Sequence, residues 1–363
     1  MKIMTILGTR PEIIRLSLIM PLLDQYAKQH VIVHTGQNFT RSLNDVFFAQ
    51  LGLRTPDYVL SHSQKSFGEQ LSIIFTELET ILSQEEPDRV LILGDTNSAL
   101  SAILAERMNI PVIHMEAGNR CFDREVPEEI NRKMVDSVSS FNLPYTERSK
   151  QHLIQEGIPV NRIYVTGNPI YEVIQHYDED ISKSNILERL KVDPYQYFLV
   201  TFHRSENVDC PEHLNEIIQG LNLVGIHYGR RIICSIHPRT RSKISKELLD
   251  ELHPLVEFYE PFGFFEFIHL LQHAACVLTD SGTVQEECCI SHVPAVTLRK
   301  TTERPETIEC GSNVLSGLDA RSILEKTDVM LKCQRNWNCP EGYLDRNVSD
   351  RVVKFLLGGA AIV

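Results

Sequence analysis

The chain has 363 residues, 42% of them hydrophobic and 23% charged, a balance typical of a soluble globular protein. This length exceeds what one compact core accommodates and predicts two domains of ordinary size. With 36 basic and 48 acidic residues the formal net charge is −12, which argues against a nucleic-acid-binding surface. A few clustered arginines can still attract an anionic ligand.

Nothing in the sequence predicts a membrane protein or an exported one. No apolar run approaches the roughly 18 residues of a membrane span. The first residues, MKIMTILGTRPE, do not resemble a signal peptide, because their apolar segment is short and ends in charge. We therefore expect a cytoplasmic protein. The nine cysteines lie apart without metal-site spacing, so we expect reduced, mainly structural thiols and no bound metal.

Short apolar runs alternate with longer amphipathic stretches along the whole chain. In the first half the runs are KIMTILGT, VIVHTGQ, RVLILGDT, IPVIHMEA, FNLPY and RIYVTGNP. In the second half they are YFLVTFH, RRIICSIH, LVEFYE, CVLTDSG and AVTLR. Such runs, separated by helical patterns, are typical of βαβ units with buried parallel strands. They predict an α/β fold with two doubly wound, Rossmann-like domains.

Nearly every apolar run ends in polar or charged residues. In open parallel sheets, ligands bind outside the carboxyl ends of the strands. Six such endings, on two sheets expected to face each other, predict an active site between the domains. They are Thr9-Arg10, Gly94-Asp95-Thr96, Glu116, His203-Arg204, His237 and Asp280-Ser281-Gly282.

The motif GTRPE places Arg10 in the turn between the first strand and a helix. Helix N-termini favour anions, and Arg10 would add a charge-assisted hydrogen bond to a phosphate. The alternative is a surface ion pair between Arg10 and Glu12.

Three carboxylates follow in the first half of the chain. Asp95 and Glu116 end neighbouring strands, and Glu128 begins the helix PEEINRKMVDSV. In a closed cleft such groups can differ in pKa and divide acid and base roles. The alternative is that Glu128 and Glu129, just after Pro127, only stabilise a helix N-terminus, which leaves Asp95 and Glu116 unexplained.

Two histidines, His203 and His237, follow strands of the second half. Each is a candidate site residue, and the alternative for each is a structural histidine held by hydrogen bonds. Arg304, in the loop TTERPE, is a second candidate phosphate ligand, and its alternative is a solvated loop arginine.

The segment DSGTVQEE places Ser281 and Gly282 at a helix start, where backbone N–H groups and the helix dipole can hold a diphosphate. Glu287 lies about two turns further on, where it could bind ribose hydroxyls. The alternative is that Asp280 or Ser281 only caps the helix, which leaves Glu286 and Glu287 unexplained.

Several common motifs are absent from the sequence. It contains no G-x-G-x-x-G, Walker loop, H-E-x-x-H or G-x-S-x-G, so we expect no nicotinamide cofactor. From the residues alone, a glycosyl-transfer enzyme and a nucleotide-sugar isomerase both remain open.

The ordered set GTRPE, HTGQ, GDT, EAG, PEEINR, GNP, HR-EN, HP, DSG-QEE and TTERPE resembles the non-hydrolysing UDP-N-acetylglucosamine 2-epimerase family, from about residue 3 to 317. The resemblance implies two Rossmann-like domains in a GT-B arrangement: 1–168 with the C-terminal helix 349–363, and 169–348. It also implies a UDP-sugar substrate, a homodimer and no cofactor.

The family reaction eliminates UDP to give a 2-acetamidoglycal and then adds it back, inverting C2. By resemblance, the catalytic residues are Asp95, Glu116, Glu128 and His203. The implied UDP-sugar ligands are Arg10, Ser281 and Gly282 for the diphosphate, Glu287 for the ribose, Phe267 for the uracil side, and Arg304, His237 and Arg15. Arg15 stands where the family commonly has lysine.

Three departures bear on regulation and substrate. Many members bind an activating UDP-GlcNAc through a Gln-His segment and an arginine; here Gln37-Asn38-Phe39-Thr40 and Glu77 stand there, predicting no activation. The NRCFD run also resembles the branch that forms UDP-N-acetyl-L-fucosamine. A GT-B glycosyltransferase, a hydrolysing epimerase and a nucleotide-sugar sensor are the alternative functions.

Overall fold

A computed structural model of the chain describes residues 1–36, 47–61 and 66–358. The described residues form two compact units: one lies within Met1–Gln175 and includes the described chain from Glu341 onward, and the other is His176–Pro340. The domain bounds expected from the sequence, 1–168 and 169–348, remain a prediction.

The strands and helices are numbered in chain order. The strands are β1 (Lys2–Leu7), β2 (Gln29–His34), β3 (Tyr58–Val59), β4 (Arg89–Leu93), β5 (Val112–Met115), β6 (Phe141–Leu143), β7 (Tyr197–Thr201), β8 (Arg231–Ser235), β9 (Val256–Tyr259), β10 (Cys276–Thr279), β11 (Ala295–Thr297) and β12 (Asn313–Leu315). The α-helices are α1 (Arg10–Leu16), α2 (Ile19–Tyr26), α3 (Phe67–Glu85), α4 (Ser101–Arg107), α5 (Pro127–Val138), α6 (Glu147–Gln155), α7 (Ile170–His176), α8 (Asp178–Ser182), α9 (Ile186–Leu190), α10 (Ser205–Val208), α11 (Pro211–Tyr228), α12 (Pro238–Lys243), α13 (Lys246–Asp250), α14 (Phe264–Gln272), α15 (Gly282–Ile290), α16 (Pro305–Glu309), α17 (Ala320–Lys332) and α18 (Val348–Gly358).

The sheet of the first unit has the order β3-β2-β1-β4-β5-β6, with all pairs parallel. Its central strands read as continuous apolar runs because helices cover both faces of the sheet; all five residues of β4 are buried. The described part of the last helix, α18, packs against α2. It is tied to the sheet by Arg89, whose Nη1 donates to the carbonyls of Phe355 and Leu356 at 3.1 and 2.8 Å.

The sheet of the second unit has the order β12-β11-β10-β7-β8-β9, again with all pairs parallel. Counted within the unit, this is the same order as in the first sheet. The predicted α/β class with two doubly wound sheets is therefore confirmed. In the described residues, no helix is both long enough and apolar enough to cross a membrane.

The strand predictions were wrong at three places. RIYVTGNP begins at the end of a short 3-10 turn, Val160–Arg162, and forms a single bridge from Ile163 to Asn142. It forms no strand, because Tyr164 is 53% exposed and Gly167 turns the chain with a φ of 86°. The edge strands β3 and β12 were not predicted. They have only two and three residues, too few to show a pattern.

Candidate functional site

In each sheet, the strand order reverses between the first and fourth strands of that unit. Ligands of doubly wound sheets bind outside the carboxyl ends of the strands at this switch point. In the first unit the switch point lies between β1 and β4, and in the second between β7 and β10. The candidate residues thus fall into two groups, one in each unit.

The side chain of Glu12 links the two loops at the first switch point. Gly8 and Thr9 donate their backbone N–H groups to Oε2 of Glu12 at 2.6 and 2.7 Å. The hydroxyl of Thr96 donates to Oε1 at 2.6 Å. Burial raises the pKa of Glu12 to about 7, although these three hydrogen bonds act in the opposite direction. Glu12 is only 2% exposed, so the alternative of a surface ion pair with Arg10 is wrong.

The two arginines of α1 lie at opposite ends of this helix. Arg10 is its first residue, and its guanidinium carbon lies 5.6 Å from the ring centroid of Phe47. Burial lowers the pKa of Arg10. Arg15 is 1% exposed, and its Nε lies 3.9 Å from Oε2 of Glu116. The structure therefore places Arg15 beside one of the candidate catalytic carboxylates.

Glu116 follows β5 in a left-handed conformation, with a φ of 66°. This conformation is strained for a residue with a side chain and is concentrated at functional sites. Its oxygens lie within 3.4 Å of the Asn119 amide nitrogen and 3.5 Å of the Tyr145 hydroxyl. A Cβ atom on Gly94 would lie 3.9 Å from Oε2 of Glu116, so this carboxylate sits beside the residue that precedes Asp95.

Helix α5 orients Asp95. Arg132 donates from Nε to Oδ2 of Asp95 at 2.8 Å, and the amide of Asn131 donates to the Asp95 carbonyl at 2.9 Å. Glu128 lies three and four residues before these two side chains, on the same face of α5. The structure thus brings Asp95 to the face that carries Glu128 and, through Gly94, close to Glu116.

The neighbouring Glu129 has a different role from Glu128. It is 1% exposed and accepts hydrogen bonds from Nη1 of Arg132 at 2.6 Å and from the backbone N–H groups of Cys121 and Phe122 at 3.0 and 3.2 Å. It therefore fixes the loop before α5 to the arginine that holds Asp95. The alternative that both glutamates serve only the helix N-terminus is wrong for Glu129.

A buried ionic network that the sequence analysis missed lies under the Glu116 loop. His114 contacts Oδ1 of Asp136 through Nδ1 and the Gly94 carbonyl through Nε2, both at 2.8 Å. Nη2 of Arg120 lies 2.7 Å from Oδ2 of Asp136. Burial acts to raise the pKa of Asp136, but His114 and Arg120 outweigh it, and the net pKa is lowered. The network thereby ties the ends of β4 and β5 together.

Asp280 is the counterpart of Glu12 in the second unit. It is fully buried and accepts the backbone N–H groups of His203 at 3.0 Å and Arg204 at 2.9 Å, and the amide of Asn207 at 2.9 Å. Burial raises the pKa of Asp280 against the opposing effect of Arg204 and His203. Asp280 therefore binds the loop after β7. The alternative that Asp280 only caps α15 is wrong.

The two candidate histidines lie close together. Their ring centroids are 5.7 Å apart, and Nδ1 of His203 lies 3.6 Å from Oδ1 of Asp280. His237 is also the N-cap of α12, where its Nδ1 accepts the backbone N–H of Arg239 at 3.2 Å. This capping hydrogen bond agrees with the alternative that His237 is a structural histidine, at least for part of its role.

Helix α15 begins at the predicted diphosphate residues. Ser281 is its N-cap and Gly282 its first residue. A Cβ atom on Gly282 would clash with Oε1 of Glu303, so any larger residue there would have to displace this carboxylate. Glu287 is 6% exposed on the same helix. Phe267, on the neighbouring α14, packs partly against the core of this unit.

Arg304 is 2% exposed and donates from Nε to Oε1 of Glu286, which is 1% exposed. The solvated-arginine alternative is therefore wrong, and Glu286, unexplained in the sequence, is its partner. Glu303 binds two further arginines, Arg204 at 3.0 Å and Arg299 at 2.7 Å. Three arginines thus lie around the start of α15, and of these the sequence analysis had not singled out Arg299.

The expected activator segment, residues 37–40, lies outside the described residues. Glu77 is described, and its Oε2 accepts the backbone N–H of Ser61 at 2.8 Å. Across the described ranges, no group of three or more histidine, cysteine or acidic side chains is arranged to hold a metal ion. All nine cysteines are free thiols, although Cys289 and Cys310 lie with their sulfurs 3.7 Å apart.

Two doubly wound sheets, with arginines, carboxylates and histidines near their switch points, define an α/β protein of the class that binds ligands outside the ends of its strands. The comparisons give the family. Residues 22–357 match the family model of UDP-N-acetylglucosamine 2-epimerase. The chain belongs to this family and is an epimerase.

Two relatives illustrate the match. The UDP-N-acetylglucosamine 2-epimerase of Methanocaldococcus jannaschii is 41% identical, over 99% of this chain and 100% of the relative. Its crystal structure with UDP-GlcNAc and UDP superposes with a TM-score of 0.93, over 98% of this chain and 99% of that chain. The UDP-2,3-diacetamido-2,3-dideoxy-D-glucuronate 2-epimerase of Pseudomonas aeruginosa is 36% identical, over 91% of this chain and 92% of the relative. The family resemblance found in the sequence is thereby confirmed.

Proposed function

We propose that the chain inverts C2 of a UDP-N-acetylhexosamine without releasing the sugar, and that its main reaction interconverts UDP-GlcNAc and UDP-ManNAc. The observation that carries this proposal is that equivalent switch points of the two sheets hold different groups, carboxylates in the first unit and groups suited to bind a diphosphate in the second. Asp95, Glu116 and Glu128 collect around the first, and an anion-binding helix start with buried Arg304 lies at the second.

The C2 proton of this sugar is not adjacent to a carbonyl group, so enolisation cannot invert C2. We propose elimination instead. A base removes the C2 proton while the bond between C1 and the diphosphate oxygen breaks, giving a 2-acetamidoglycal and UDP. UDP then adds back to C1 as an acid delivers a proton to the opposite face of C2. This path requires proton carriers on both faces and a site that stabilises departing UDP.

The second unit supplies the groups suited to hold UDP. The N–H groups at the start of α15 and the guanidinium of Arg304 suit the diphosphate. Glu287 suits the ribose hydroxyls, and Phe267 the uracil ring. Because Glu286 already accepts a hydrogen bond from Arg304, UDP would share a cation that already has a carboxylate partner in the protein.

The first unit supplies most of the proton carriers. Asp95, Glu116 and Glu128 are proposed to divide the acid and base steps with His203 of the second unit. Arg10 is proposed to bind the diphosphate. Arg15 is proposed to balance the negative charge of Glu116, since its Nε lies 3.9 Å from that carboxylate.

The relatives support UDP and the 2-acetamido group as the constant parts of the substrate. The methanocaldococcal enzyme was crystallised with UDP-GlcNAc and UDP, and the pseudomonad relative is named for a UDP-2,3-diacetamido sugar acid. The second substrate candidate is a 6-deoxy sugar, giving UDP-N-acetyl-L-fucosamine, because the NRCFD run, Asn119–Asp123, resembles that branch. We further propose a cytoplasmic homodimer that makes precursors for cell-surface polysaccharides.

Product analysis tests this proposal. The purified protein is incubated with UDP-GlcNAc, and anomeric-proton NMR follows UDP-ManNAc, free N-acetylmannosamine and UDP. Epimerisation predicts UDP-ManNAc approaching a fixed ratio with its substrate. Free N-acetylmannosamine with UDP would identify a hydrolysing epimerase instead. Binding of UDP-GlcNAc without turnover, in the presence and absence of sugar acceptors, would identify a sensor. Repeating the assay with the 6-deoxy sugar ranks the two substrates.

A further inference from the structure

The switch points of the two sheets are built alike from unrelated sequences. In the first, Glu12 accepts two consecutive backbone N–H groups, those of Gly8 and Thr9, and one side-chain donor from Thr96. In the second, Asp280 accepts two consecutive N–H groups, from residues 203 and 204, and one side-chain donor, the amide of residue 207. Each buried carboxylate thus fixes a loop that carries candidate site residues.

We propose that Glu12 and Asp280 are positioning residues, one for each switch point. Glu12 fixes the turn that carries Arg10 against the loop that carries Asp95, and Asp280 fixes the backbone of His203. The proposal rests on the proposed function for what these loops do, but the contacts themselves do not depend on it.

We call the hydrogen bonds from Gly8, Thr9 and Thr96 to Glu12 the Glu12 clamp, and those from His203, Arg204 and Asn207 to Asp280 the Asp280 clamp. The Glu12 clamp also explains why the first switch point differs from a nucleotide-binding one. In a Rossmann dinucleotide site, the N–H groups of the turn after the first strand face a pyrophosphate. Here Oε2 of Glu12 already occupies the N–H groups of Gly8 and Thr9, and a carboxylate there repels a phosphate. Anion recognition by the main chain is therefore left to α15, and the first unit contributes only the side chain of Arg10.

A proton-transfer role for Glu12 is the competing interpretation. Both of its oxygens already accept hydrogen bonds from the protein, and the side chain is 2% exposed. A glutamine separates the two roles. Its Oε1 can accept the two N–H groups while its Nε2 donates to the Thr96 hydroxyl, which can also accept. Glu12→Gln thus preserves the clamp and removes the transferable proton, whereas Glu12→Ala removes both.

The first test compares these two variants with the wild-type enzyme. Positioning predicts that Glu12→Gln keeps kcat within about fivefold. Glu12→Ala should lower kcat about 100-fold, the effect of misplacing reactive groups by about 1 Å, with a smaller change in KM. If Glu12→Gln falls as far as Glu12→Ala, the proton of Glu12 is used and the positioning role is wrong. If Glu12→Ala keeps wild-type kcat, the clamp has no role in turnover.

The second test concerns Asp280, where the outcome should differ. Both oxygens of Asp280 lie within 3.1 Å of the His203 backbone nitrogen, and Oδ2 also accepts from Arg204 and Asn207. In either orientation, an asparagine Nδ2 would therefore face an N–H group. We expect Asp280→Asn to lose kcat about 100-fold, as Asp280→Ala does, with no rescue. Near-wild-type kcat in Asp280→Asn would overturn the assignment.

Amide hydrogen exchange measures the protection of the Gly8 and Thr9 N–H groups, and so tests the Glu12 clamp without any assay of activity. In wild-type protein and Glu12→Gln, the amides of Gly8 and Thr9 should exchange slowly, and Glu12→Ala should accelerate both at least tenfold. Unchanged exchange in Glu12→Ala would contradict the clamp even if turnover fell. If the wild-type protein exchanges as expected but shows no epimerisation, the proposed function fails while the clamp stands.

Discussion

Arg304 donates a hydrogen bond from Nε to Oε1 of Glu286, and both side chains are almost completely buried. The cation proposed to bind diphosphate thus has a carboxylate partner before any substrate arrives. A buried arginine without a partner would destabilise the fold by several kcal/mol. Glu286 therefore offsets the buried positive charge of Arg304 and stabilises this part of the fold.

This relationship predicts an unusual response of Glu286→Gln to UDP. The variant keeps an acceptor for Nε but removes the negative charge of Glu286 beside Arg304, so we expect the free protein to lose roughly 1–3 kcal/mol of stability. UDP restores the balance, so its stabilising effect should exceed that in the wild type. Thermal unfolding with and without saturating UDP measures this. An equal UDP-induced shift in both proteins would contradict it.

The second prediction concerns the proton carriers. Asp95→Asn, Glu116→Gln, Glu128→Gln and His203→Asn should each lower turnover by roughly 10²–10⁴-fold while UDP binding is largely kept. Glu125→Gln is the matched control, because Glu125 is exposed in the segment just before α5. It should turn over like the wild type. Near-normal turnover in all four site variants would show that proton transfer occurs elsewhere.

The third prediction tests whether Arg10 binds UDP directly or only contributes to the overall charge of the first unit. Arg10→Ala removes a charge-assisted hydrogen bond worth about 1.5–3 kcal/mol, so UDP affinity measured by calorimetry should fall about 10–150-fold. Arg107→Ala removes the same charge from an exposed position at the end of α4 and should leave affinity unchanged. Arg304→Ala should weaken UDP binding as well. Equal affinities in Arg10→Ala and Arg107→Ala would exclude Arg10 from the diphosphate site.

The fourth prediction uses the pKa of Glu12. Folding raises this pKa from 4.5 to about 7, so the protonated form is favoured in the folded state. The resulting stability is fully present below pH 4.5 and is lost as the pH rises through 7. Relative to Glu12→Gln, the wild type should lose roughly 3 kcal/mol of unfolding free energy between pH 4.5 and 8. Urea unfolding at several pH values measures the difference, and a pH-independent difference would refute it.

The sequence predicted the fold well because its central strands are long, apolar and separated by helices. Strands such as β1 and β4 are covered on both faces, so their runs are continuous. The same rule placed Asp95, Glu116, His203 and Ser281 at strand ends. It failed at two edge strands, β3 and β12, whose two and three residues carry no pattern.

The partners of the site residues were harder to predict. Glu286 and Arg304 are 18 residues apart in the chain, and Asp280 holds a loop 76 residues away. Such pairs depend on the packing of distant elements, which periodicity does not encode. One local signal was available: Glu129 and Arg132 are three residues apart on α5, a spacing at which helical side chains form ion pairs.

The most direct test of the account follows the C2 proton itself. The protein is incubated with UDP-GlcNAc in D₂O, and the nucleotide sugars are analysed by NMR. Elimination and re-addition predict deuterium at C2 in both epimers while UDP remains attached, and Glu128→Gln should slow this incorporation far more than Glu125→Gln does. Epimers formed with hydrogen retained at C2, or deuterated free sugar released with UDP, would contradict the proposed reaction.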